Sequence, residues 1–199
     1  AFFYSKSTNM KSINKILFPT DFSEVAQAAF RYALRMADNL EVPMEVLHVV
    51  YPETEPLDFP VLATKAVQEK TEAAQEALKG FVELGLSQVL TGGTLENAPV
   101  TLSDIEVGVP GDLIPSIAER DEIDLIVMGT RREHSTFDRF FGSVTTNVIR
   151  KAHCPVWIVP PGANFTDFSS VVFATNLLEA DPMHIINLSE LLAAHEPVI

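Results

Sequence analysis

The chain holds a single cysteine, Cys154, so no intrachain disulfide framework stabilises it, and a reducing, cytoplasmic setting is the expectation. Positive charge is also scarce: 14 Lys and Arg against 27 Asp and Glu leave a net charge of −13 over 199 residues. General binding to nucleic acid or to an anionic membrane is therefore excluded, because both need a basic face that displaces counterions. Arg131, Arg132, Arg150 and Lys151 come nearest to a basic patch, and most of them read as solvated charges. No apolar run approaches the ~20 residues that span a bilayer, and the first nine residues lack the basic-then-apolar form of a signal peptide. Those nine, ahead of Met10, read as a leader or a foreign remnant. His48, His134, His153, His184 and His195 have no metal-ligand spacing, and neither a P-loop nor a Gly-x-Gly-x-x-Gly fingerprint occurs, so no metal site, catalytic residue or dinucleotide enzyme is expected.

What is present is an ordinary core-forming composition, 47% hydrophobic and 21% charged, enough for one well-buried domain. Lys-Ile-Leu-Phe-Pro at residues 15–19 reads as a buried strand, and Asp21 or Ser23 is placed to cap the helix after it. Ala26, Phe30, Ala33, Leu34, Ala37 and Leu40 form the apolar stripe of that helix, while Arg31, Arg35 and Asp38 fall largely off it. Residues 44–50 read as a second strand and residues 63–84 as a long helix stopped by Gly85. Residues 87–99 resist assignment beyond a turn at Gly92-Gly93. Residues 100–107 read as a third strand near a sheet edge, and residues 113–120 as a helix with Asp112 at its positive end.

Residues 124–160 carry the chemistry. An apolar strand to Met128, Gly129, a polar loop, Gly142-Ser143 opening a helix to about Lys151, and a last strand at residues 155–159 form a strand, loop, helix, strand unit. Such a unit offers a helix N-terminus to an anion. Five strands alternating with helices predict an α/β fold, an open parallel sheet with helices on both faces.

Lys-Ile-Leu-Phe-Pro-Thr-Asp-Phe-Ser at 15–23, Val-Leu-His-Val-Val at 46–50, the run ending at Pro110, Asp-Leu-Ile-Val-Met-Gly-Thr at 124–130 and Gly-Ser-Val-Thr-Thr-Asn-Val-Ile-Arg at 142–150 together resemble the universal stress protein family. The resemblance is continuous over residues 15–160, within a domain set at residues 10–162. It implies a Rossmann-like, adenine nucleotide-binding sheet of order 3-2-1-4-5, with ligands outside the strand ends where the winding reverses. In ATP-binding members the matching positions make a nucleoside wall, here Pro19, Thr20, Asp21, Val49 and Met128. Core packing for Val49 and Met128, and helix capping for Asp21, are the alternatives. The family's phosphate motif is glycine, two residues, glycine, nine residues, then Gly-Ser or Gly-Thr. This chain gives Gly129, then Arg132 in place of the second glycine, then Gly142-Ser143 with Val144 and Thr145 behind. Arg132 either pairs with phosphate through its planar fork or blocks its close approach to the backbone.

The resemblance implies a stress-response module that binds ATP with Mg²⁺, weakened by Arg132, with at most slow hydrolysis. Occupancy would alter the loop at residues 130–141 and so the choice of partner. The alternative is a member that binds no nucleotide and acts as a dimeric interaction module. In either case Val156, Trp157, Ile158 and Val159 form an apolar sheet edge, suited to a homodimer or to pairing with a second unit of the same family. Val-Phe-Ala-Thr-Asn-Leu at 172–177 repeats Leu-Phe-Pro-Thr-Asp-Phe at 17–22, so residues 169–199 read as the start of a second, incomplete unit of a tandem member.

Overall fold

The computed structural model describes residues 2–3, 13–52, 60–97, 99–130 and 142–166, those at 2–3 and 60–63 by backbone alone. The elements run β1 (Phe2–Phe3), β2 (Ile16–Pro19), α1 (Glu24–Asn39), β3 (Met44–Leu47), β4 (Val49–Val50), α2 (Pro60–Leu90), β5 (Val100–Leu102), β6 (Glu106–Val107), α3 (Pro110–Arg120), β7 (Leu125–Gly129), α4 (Ser143–Lys151) and β8 (Val156–Val159). The main sheet is ordered β1-β8-β7-β2-β3-β5. Its five long-separated strands are parallel in the expected 3-2-1-4-5 order, and β1 joins β8 antiparallel.

Alternation along the strands divides the core in two. Ile16 and Phe18 of β2, with Leu125 and Val127 of β7, face α1 and α2, whereas Leu17, Ile126 and Met128 face α3 and α4. The first layer is aromatic: Phe18 lies 5.2 Å from Phe30, and Phe30 lies 5.1 Å from Phe81 between ring centroids. The second is aliphatic, with Ile114, Ile117, Val148, Val156 and Ile158 at its centre. At the amino ends of the strands the Asp124 carboxylate accepts from the amides of Asn14 (2.8 Å) and Lys15 (3.2 Å), which ties the entry of β2 to that of β7.

Four expectations need correction. Gly85 does not stop α2: the helix runs on to Leu90, and a Cβ at Gly85 would lie 2.4 Å from Cδ1 of Phe30, so the glycine is a notch that admits the ring of α1. The second strand is broken at His48, and the third is broken at residues 103–105; their outer halves, β4 and β6, pair in a separate two-stranded sheet. α3 begins at Pro110 rather than Leu113, since proline fits a first turn whose amide needs no partner. Apart from these four, Phe2–Phe3, within the segment read as a leader or a foreign remnant, pairs with the sheet in register with Trp157 and Val156, which bears on neither reading.

The stretch at 87–99 that resisted assignment is held by polar groups of α1. Arg35 donates to the carbonyls of Val89 (3.0 Å) and Thr94 (3.2 Å), and Asp38 accepts from the amides of Glu96 and Asn97 (2.7 Å each). Arg131, Arg132, residues 4–9 and the segment read as a second unit lie outside the described residues.

Candidate functional site

The carboxyl ends of β2 and β7, where the winding reverses, open into one cavity of about 420 Å³, within the usual size of ligand pockets. Its floor is the strand wall. Pro19 ends β2 and Thr20 and Asp21 follow it, Val49 begins β4, and Met128 and Gly129 end β7. Thr20, Val49 and Met128 are buried and also line the cavity, so each belongs to the interior and shows one surface to the cavity.

The loop after β2 is fixed by its own short polar side chains. Thr20 donates its amide to Leu47 O (2.9 Å) and accepts on Oγ1 from the amide of Phe22 (3.0 Å). Asp21 accepts from the amide of Ser23 (3.0 Å), and Ser23 Oγ caps α1 by accepting from Ala26 (3.2 Å). Capping therefore falls to Ser23, which leaves Asp21 exposed at the mouth, the sole carboxylate among the described residues that line the cavity.

The opposite lip is the start of α4. Gly142 is its N-cap, in extended backbone (φ −62°, ψ 163°) and with no side-chain hydrogen bond at the cap. The first turn carries no acidic residue, and Arg150 and Lys151 stand in the last turn, so the helix presents the positive end of its dipole at the cavity. A Cβ on Gly142 would meet no described residue within 4 Å, whereas one on Gly129 would lie 3.0 Å from Ala29 Cβ and 3.2 Å from the Val25 carbonyl. Gly142 thus fronts open space among the described residues, while Gly129 is required by the packing of α1 across the end of β7. Ser143 and Val144 are exposed on the same lip, and Thr145 is buried beneath it.

All ten described residues of the expected nucleotide site line this one cavity. Pro110 and Ile114 of α3 and His48 also line it, without having been singled out in the sequence. Pro110 had a legible signal, since a proline entering a helix after a strand sits at the same carboxyl end of the sheet. His48 interrupts an apolar run and is read there as one strand residue among others. Cys154 lies beneath α3 and α4, where burial pushes its thiol up to about 12, so it supplies no thiolate near neutral pH.

The expected dimer edge is placed as follows. Val156, Ile158 and Val159 are buried, Trp157 is half-buried against the aromatic layer, and Phe2–Phe3 pairs with Val156 and Trp157. The Trp157 indole donates to the Tyr32 hydroxyl, and Phe165 meets the Tyr32 ring edge-on at 5.3 Å, so the chain after β8 folds back over α1. Among the described residues no helix is long and apolar enough to cross a membrane, and no group of three His, Cys, Asp or Glu side chains is arranged for a metal.

The profile of the universal stress protein family matches residues 12–160. A universal stress protein of Methanocaldococcus jannaschii is 30% identical over 151 residues, spanning 73% of this chain and 93% of its own. A second from the same organism is 30% identical over 145 residues, spanning 73% and 81%. Among solved structures, the universal stress protein UspA from Lactobacillus plantarum superposes with a TM-score of 0.59 at 29% identity, over 74% of this chain and 98% of that one.

Proposed function

The chain belongs to the universal stress protein family, and from that premise we propose that its cavity takes an adenine nucleotide, ATP with Mg²⁺, whose occupancy governs pairing with a partner. The observation that carries this reading is the convergence of an apolar strand wall, a lone mouth carboxylate and an uncapped helix N-terminus on one cavity. The wall suits a base, Asp21 suits the hydrogen-bond donors of a nucleoside, and the amides at Gly142–Thr145 suit phosphate oxygens. Arg132, in the place of the motif's second glycine, weakens this binding without abolishing it. With Asp21 as the only lining carboxylate among the described residues, the site has no paired acids to activate water, and hydrolysis is at most slow. Calorimetric titration of the purified chain with ATP and Mg²⁺ tests the reading: a saturable heat is expected, and its absence at millimolar nucleotide overturns it.

A second reading, an interaction module working through β8, is favoured by β1, since that edge already accepts an antiparallel strand. In a homodimer the β8 of a second copy would take the place of Phe2–Phe3. Replacing both Phe2 and Phe3 by proline removes two amide donors from the intramolecular strand. Sedimentation velocity should then show tighter self-association than the unaltered chain, and an unchanged or weaker association would count against this use of the edge.

A further inference from the structure

We propose that His48 is a positioning residue of the cavity, holding the Thr20–Phe22 segment, and with it Asp21, in the shape that receives a nucleoside. The inference rests on the nucleotide reading for its ligand, but its geometry stands apart from that reading. His48 falls where the strand run breaks: β3 belongs to the main sheet and β4 pairs with β6, and the His48 carbonyl accepts from the Glu106 amide (3.3 Å) at the start of that second pairing. Its Nδ1 lies 2.8 Å from the Thr20 carbonyl oxygen. A carbonyl can only accept, so Nδ1 carries the hydrogen in either charge state of the ring.

Thr20 is thereby gripped on both of its peptide groups, its amide by Leu47 and its carbonyl by His48. Phe22 is gripped as well. Its φ of 60° lies in the left-handed region, which a bulky residue rarely occupies. Its ring stacks on the His48 imidazole, with centroids 4.1 Å apart and planes at 23°, and its other neighbour is Phe81 at 5.9 Å. One imidazole thus holds the residue before Asp21 by a hydrogen bond and the residue after it by a stack. Asp21, between them, is the carboxylate at the mouth, and its Oδ1 accepts from the Ser23 amide at 3.0 Å. Strain at Phe22 that the surroundings over-determine is what a pre-shaped binding segment needs.

The experiment uses two substitutions that copy one ring nitrogen each. In His48→Asn the side-chain amide sits where Nδ1 sat, two bonds from Cβ, while in His48→Gln it reaches the place of Nε2. His48→Ala removes both. Two readouts are followed on the full chain: calorimetric affinity for Mg²⁺-ATP, and hydrogen exchange of the Phe22 amide without ligand. Positioning predicts that Ala and Gln lose about tenfold in affinity, about the worth of one hydrogen bond, and speed the exchange at Phe22, while Asn, which keeps the bond to Thr20 but not the stack on Phe22, restores affinity to within about threefold and exchanges Phe22 more slowly than Ala and Gln do. Rescue by Gln but not Asn would overturn the proposal in favour of direct contact between Nε2 and the ligand. Exchange and affinity unchanged in His48→Ala would overturn it outright. If the unaltered chain binds no ATP, the nucleotide reading fails, and the exchange at Phe22 still decides whether His48 holds the segment. Should His48→Ala not fold, the contrast between Asn and Gln decides.

Discussion

Two glycines face each other across the cavity for opposite reasons. Gly129 is a glycine because α1 lies where its side chain would be, and Gly142 is a glycine beside space that no described residue fills. The difference extends to the walls they belong to. The strand wall includes Val49 and Met128, which belong to the aliphatic layer, and the buried Thr20, while the α4 lip exposes Gly142, Ser143 and Val144 over a single buried Thr145. One wall is buried in the core, and the other stands exposed at the helix start.

Substitutions can break that comparison, and the largest effect lies behind the strand wall. Phe30 is fully buried between Phe18 and Phe81, so Phe30→Ala should cost about 3–5 kcal/mol in chemical denaturation. Gly129→Ala comes next, with a methyl forced against Ala29 and the Val25 carbonyl; a loss of about 1–3 kcal/mol is expected from the same measurement. Gly142→Ala should be smallest in stability, about 0.5 kcal/mol, because the new methyl meets no described residue and the cost is that of alanine at an N-cap. Its effect should appear instead in calorimetry, as weaker binding of Mg²⁺-ATP, since the methyl occupies space that a phosphate would approach. Equal destabilisation by the two glycine substitutions would erase the distinction between the walls.

Much of this was legible from residue order. Apolar runs ending at Pro19 and Met128, and Gly142-Ser143 ahead of a helical stripe, located both walls, and the resemblance of these motifs implied the strand order found. What escaped notice was what tertiary contact decides. Gly85 has the local chemistry of a helix stop, yet its missing side chain admits Phe30 from another helix, and no local pattern distinguishes the two uses. Arg35 and Asp38 fall off the apolar stripe and read as solvent-facing, but they bind the backbone of the stretch before β5. His48 is hidden by its neighbours. Val46 to Val50 looks like one strand until the ring's bond to Thr20 shows why the ladder breaks there.

The notch at Gly85 sets how the domain can move. A helix slipping by one turn travels about 5.4 Å, and slippage of α2 along α1 would withdraw Gly85 and drive a side chain of its buried stripe, Phe81, Val82 or Val89, into the Phe30 ring. The α1–α2 layer is therefore keyed to one longitudinal setting, like a shaft with a pin through it. The α3–α4 layer has a close approach of its own beside the cavity, since a Cβ on Gly111 would lie 2.9 Å from Asn147 Cβ, so α4 too is held to one setting against its neighbour.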